Sequence, residues 1–184
     1  MEPSELRDHF VKFPYRKEIR ENGDINNGGI DLVKEPHRIE EIHEAESLPW
    51  LKKFLVDVNS HDGIFMTFGC VFGNVEDSFC GYIDFSIRPS GEVSAKERIS
   101  EIDRQFMSYL HDVMPKGETR QQAMEYAEHT SRWILSPLEI YGEFYSKVNL
   151  TIDADGESGA AWLVDHLRHF LVEVYPSLPH KNSL

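Results

Sequence analysis

Two stretches decide the fold: FCGYIDFSI, residues 79–87, and FYSKVNLTI, residues 144–152. In the first, Phe79, Gly81, Ile83, Phe85 and Ile87 fall on one side of an extended chain; Phe144, Ser146, Val148, Leu150 and Ile152 do the same 65 residues later. Gly91 and Gly156 break the two runs. After the breaks, Ala95, Ile99, Ile102 and Phe106, and in the second copy Ala160, Val164, Leu167 and Leu171, recur at helical spacing. A period of two buries one strand face and a period near 3.6 buries one helix stripe, so each copy reads as a strand followed by a helix that covers it. The matching registers suggest a duplicated unit.

Upstream of the first copy, Leu48, Leu51, Phe54, Leu55 and Val58 form the stripe of a helix, with Ser47 as its N-cap and Pro49 in its first turn. A hairpin follows. Pairing Phe72 with Phe79 across a loop at 73–78 sets Cys70 opposite Gly81, Phe68 opposite Ile83, Met66 opposite Phe85 and Ile64 opposite Ile87, which keeps the inward pairs apolar or small. Cys70 then points inward and Cys80 outward, as two free thiols. A helix from Ser94 to about Val113 ends before Pro115 and Gly117, and the next opens with Thr119 and Gln122 as a capping pair.

Strands from Ile134 to Ile140 and Phe144 to Asp153 flank Gly142. A tight hairpin is favoured there over one long bent strand, because Pro137 fits poorly inside a central strand. Ser158 caps a last helix that runs to about Tyr175. The order α-β-β-α, α-β-β-α predicts an α+β fold, an antiparallel sheet of about four to five strands with helices on one face. The single domain is expected over 47–176, between a polar, poorly patterned segment at 1–46 and an exposed tail at 177–184. Within the first segment, a short helix at Ser4 to Val11 and a strand near Ile30 to Val33 are expected.

The 32 acidic residues against 19 basic give a net charge of -13, which repels nucleic acid and anionic membranes and steers a basic protein inward. No run approaches the roughly 18 to 20 apolar residues of a membrane helix, and the first residues lack the apolar core of a signal peptide. With only two cysteines as well, the expected compartment is the reducing cytoplasm.

The familiar catalytic patterns do not fit. No glycine-rich loop precedes a helix with a lysine, so phosphate-cradling classes drop out. Gly156-Glu157-Ser158-Gly159 lacks the strained elbow around a nucleophilic serine, and Asp153, Asp155 and Gly156 begin a calcium loop without its later ligands. His166 and His169 lie off the apolar stripe of the last helix, toward solvent, and without a distinctive third metal ligand. The set His37, Glu40, Glu41, His43 and Glu44 lies in the weakly patterned first quarter. Neither cofactor nor metal is expected.

With helices on one face, the other carries Cys80, Tyr82, Asp84, Ser86, Arg88, Tyr145, Lys147, Asn149, Thr151 and Asp153. The sequence therefore predicts an acidic, non-enzymatic binding protein, such as an inhibitor or immunity protein that neutralises a basic toxin or nuclease. Tyr82 and Tyr145 would anchor the partner and Asp84, Glu76 and Asp77 would steer it, with Asn149 and Asp153 on the same face. Competing expectations are a small hydrolase or transferase with a cleft between the two units, and a homodimeric adaptor or secretion-type chaperone whose open sheet face pairs with itself.

Overall fold

The computed structural model describes residues 1–3, 12–16, 18–19, 25–26, 28–89 and 99–178. The helix expected at Ser4 to Val11, the break at Gly91, the helix start at Ser94 with Ala95, and the end of the tail lie outside the described residues. The fold is α+β. Two long hairpins, β5 (Phe65–Val75) with β6 (Ser78–Ile87) and β7 (Ser131–Ile140) with β8 (Glu143–Ala154), join through β6 and β8, giving the order β1-β7-β8-β6-β5. The antiparallel expectation needs correction at one edge. Two short pieces of the N-terminal segment, β1 (Glu2–Pro3) and β2 (Lys12–Phe13), pair with β7 in parallel, so the sheet is mixed. A further short pair, β3 (Glu18–Ile19) and β4 (Ile25–Asn26), stands apart from it.

Helices α2 (Pro49–Val58), α3 (Ile102–Val113), α4 (Glu118–Thr130) and α5 (Glu157–His169) cover one face of the sheet, with the short α1 (His43–Ser47) leading into α2. The core beneath them includes most of the inward residues of both copies, but Phe144, expected among them, is 82% exposed at the start of β8. Phe79, Ile83, Phe85 and Ile87 are buried together with Val148, Leu150 and Ile152. The helix stripes close over them, Ile99, Ile102 and Phe106 in one half and Ala160, Val164, Leu167 and Leu171 in the other.

The two halves also agree in register. Phe72 pairs with Gly81 and Val75 with Ser78; the counterparts 65 positions on, Pro137 with Ser146 and Ile140 with Glu143, pair in the same way. Both hairpins turn in two residues, Glu76-Asp77 and Tyr141-Gly142, and the first of each takes a left-handed φ, 51° at Glu76 and 50° at Tyr141. Asp84 pairs directly with its own counterpart Asn149, which places a local two-fold axis between β6 and β8. Helix packing follows that axis, α2 lying on α5 and α4 on α3.

The expected register of the first hairpin is wrong. Its loop is shorter than 73–78, so Cys70 faces Ile83 rather than Gly81 and Phe72 faces Gly81 rather than Phe79. A bulge at Phe68 then takes back one of those two residues, so the lower half is offset by one, with Thr67 opposite Phe85 and Met66 opposite Ser86. Phe65 enters the main core and Met66 and Phe68 cross to the other face, since one extra residue reverses the alternation. Thr67 survives on the core side because Asn59 satisfies it, Oδ1 accepting its amide at 3.0 Å and Nδ2 donating to its hydroxyl at 2.8 Å. The shift of two above the bulge leaves the cysteine faces unchanged: Cys70 packs on the core, Cys80 points the other way, and both are free.

Three expected caps are absent. Ser47 ends α1 with its hydroxyl on the carbonyls of His43 and Glu44, and α2 starts after Leu48. Gly117 and Gly156, not Thr119 or Ser158, occupy the N-cap positions of α4 and α5. The strand expected near Ile30 to Val33 is a turn, in which the Asp31 carboxylate accepts the amides of Val33 and Lys34. Among the described residues no helix is long and apolar enough to cross a membrane.

Candidate functional site

The face of the sheet on which, among the described residues, no helix packs is divided into a covered end and an open end. At the covered end the sheet curls, and Phe13 fills the concavity against Met66 and Phe68 of β5 and Leu138 and Ile140 of β7. The Phe13 and Phe68 rings meet edge to face with centroids 5.1 Å apart. Phe13 is held there by β2 and by its carbonyl, which accepts the Tyr141 amide at 3.1 Å. Beside it, the Tyr15 hydroxyl donates to the Phe68 carbonyl at 3.2 Å.

Under this cover lies a polar floor. Asp84, only 5% exposed, accepts from Lys147 Nζ at 2.9 Å and from Asn149 Nδ2 at 2.7 Å. Thr151 donates to Asn149 Oδ1 at 3.0 Å, and Ser86 to the Ser146 carbonyl at 2.6 Å. A narrow cleft reaches this floor between Tyr15, Gly69 and Tyr82 on one side and Lys12, Phe13 and Leu138 on the other. The expectation that Asp84 steers a partner from an open face fails here, because the carboxylate is buried and spent on Lys147 and Asn149.

The open end carries the remaining expected residues of the first hairpin. Tyr82 is half-buried and opposite Val71, which is 47% exposed; Val75, 57% exposed, closes the strand. Cys80 lies between Gly73 and Asp153, donating to the Asp153 carboxylate at 3.1 Å. Glu76 and Asp77 form the exposed tip. Tyr145 is not part of this group. It lies at the opposite end of the sheet, paired with Leu138, its hydroxyl on Glu143 at 2.6 Å. The structure thus places Tyr82, Asp153, Glu76 and Asp77 at the open end, sets Asp84 and Asn149 in the floor of the covered end, and leaves Tyr145 apart.

The phenols of this face and both thiols of the first hairpin are shifted upward. Burial, then the Asp84 charge, pushes Tyr15 up to about 12 and raises Tyr82 further. Burial pushes the Cys70 thiol up to about 12, and the hydrogen bond to Asp153 raises Cys80. Thiols and phenols held in their protonated forms donate hydrogen bonds and are weak nucleophiles. His166 and His169, expected in solvent, instead pack on Tyr109 of α3. Among the described residues no group of three or more His, Cys, Asp or Glu side chains converges to hold a metal ion.

Sequence reasoning missed Lys147 as the partner of Asp84 and missed the cover formed by Phe13 and Tyr15. The first was readable, since Asp84 and Asn149 are counterparts in the repeat and Lys147 is two residues from Asn149 on the same face. The second had only the weak signal of Phe13 and Tyr15 standing in a polar segment. No protein-family model matches the chain, and no curated protein or solved structure matches it significantly.

Proposed function

We propose that the protein is an acidic, non-enzymatic binding protein that captures a basic protein, in the manner of an inhibitor or immunity protein, through the open end of its helix-free sheet face. The observation that carries this reading is the grouping of Tyr82, Val71 and Val75 beside the acidic tip Glu76-Asp77 and Asp153, on a face that the helices leave bare. An amphipathic ring flanked by exposed apolar side chains and ringed by acids suits a basic partner. The ring supplies buried area and the acids raise the rate of encounter.

Binding kinetics against purified basic nucleases and toxins, at low and high salt, test the proposal. Tyr82→Ala should weaken the cognate complex by about 2 kcal/mol or more, mainly through faster dissociation. Glu76→Gln with Asp77→Asn should slow association and flatten its salt dependence while changing dissociation little. Unchanged kinetics in both variants would remove this surface as the binding site.

A further inference from the structure

The two halves of the sheet differ in what lies along their outer edges. On β7 the chain lays down its own extended segments in parallel, Glu2–Pro3 beside Ile134 and Leu135, and Lys12–Phe13 beside Glu139 and Ile140. The positions 65 residues earlier are Gly69, Cys70, Asn74 and Val75 of β5, and among the described residues no strand pairs with that edge. We propose that the β5 edge from Gly69 to Val75 receives an extended strand of the basic partner, at the place where the other half receives its own N-terminal strands. This rests on the capture of a basic protein inferred above and specifies how that partner docks.

Below the bulge the edge is already closed by side chains. Asn59 takes the Thr67 amide, Arg88 Nε donates to the Phe65 carbonyl at 2.6 Å, and Tyr15 caps the Phe68 carbonyl. Above the bulge the sequence GCVFGNV, residues 69–75, contains neither a charge nor a proline, the devices that ordinarily blunt an edge strand. In a two-residue hairpin the pair flanking the turn exchanges both backbone bonds, so Val75, Gly73 and Val71 turn their amides toward β6 and Asn74, Phe72 and Cys70 turn theirs outward. On β7 the counterpart of Phe72 is Pro137, which has no amide to offer, and the two N-terminal strands pair on either side of it. The β5 edge has no such interruption.

Charge selects the occupant. The edge ends at Glu76 and Asp77, and on the β7 side the incoming Lys12 already meets Glu139 at 3.0 Å, at the counterpart of Asn74. A second copy of this chain would bring another net charge of -13 to the same place, so a basic extended segment is favoured over self-pairing.

Amide hydrogen exchange of the full chain, with and without a synthetic peptide of alternating valine and lysine, tests the proposal against a valine–glutamate control peptide. The lysine peptide should slow exchange at Cys70, Phe72 and Asn74, and the glutamate peptide should not. Asn74→Pro should weaken the lysine peptide by about tenfold, whereas Asn74→Ala should leave its affinity unchanged. Protection of these amides that grows with protein concentration alone would assign the edge to a second copy and overturn the proposal. Peptide binding that Tyr82→Ala weakens but that leaves the three amides unprotected would also overturn it, while leaving the capture of a basic partner standing. Absence of binding by either peptide would count against both.

Discussion

At the scale of single residues, the decisive group is Asp84 with Lys147, 5% and 2% exposed, in a floor shared with Asn149. A buried charge is costly unless paired, so each member depends on the other more than the pair adds to stability. Lys147→Met should therefore cost about 3 to 5 kcal/mol by leaving a buried carboxylate without its cation, while the double variant with Asp84→Leu should recover much of that loss. Urea unfolding of the two variants and the wild type checks this, and equal stability of single and double variants would contradict it. Alternation alone put Asp84, Lys147 and Asn149 on one face. It could not reveal that Phe13 and Tyr15 close over them, because that contact joins positions far apart in sequence and is set by the curl of the sheet.

At the scale of elements, the strands were legible and their joints were not. The repeat itself held the missing information: carrying the turn at Tyr141-Gly142 back by 65 positions gives Glu76-Asp77, the observed turn, without any appeal to the glycine at 73. The bulge at Phe68 has no such marker, because Phe65, Met66 and Phe68 are all apolar and fit either face. Solvent-facing histidines on α5 were likewise inferred from the stripe alone, whereas α3 supplies Tyr109, whose hydroxyl lies 3.2 Å from His166 Nδ1. Trp162 meets the His166 ring edge to face with centroids 4.9 Å apart, and Asp165 and His169 are the titratable groups that act on it. Burial lowers the His166 pKa below its ordinary 6.5, with Asp165 opposing and His169 reinforcing. The folded state thus prefers the neutral ring. The stability this provides is full above about 6.5 and is lost as pH falls through the lowered pKa. His166→Gln should flatten the fall of unfolding free energy between about pH 7 and pH 5, and an unchanged slope would show that the interface titrates elsewhere.

At the scale of the molecule, the question is whether two similar halves behave as one folding unit. Their inward residues belong to a single continuous core, and the β6 to β8 ladder runs from Phe79 opposite Ala154 to Phe85 opposite Val148 through the middle of the sheet. Packing of α2 on α5 adds a second seam between the halves. Neither half can bury its strand face alone, since Phe85 packs on Trp133 of the other hairpin with ring centroids 6.3 Å apart. Phe85 and Leu150 are counterparts in the repeat, 0% and 1% exposed. Phe85→Ala should cost about 3 to 5 kcal/mol and Leu150→Ala about 2 to 5 kcal/mol, and each should lower the stability of the whole molecule rather than of its own half. Far-ultraviolet circular dichroism and tryptophan fluorescence should give coincident denaturation curves for the wild type and both variants, because Trp50, Trp133 and Trp162 all belong to or pack on the shared core. Separate transitions, with each substitution moving only one of them, would mean that the halves fold independently and that the central ladder is a joint between two units rather than the middle of one.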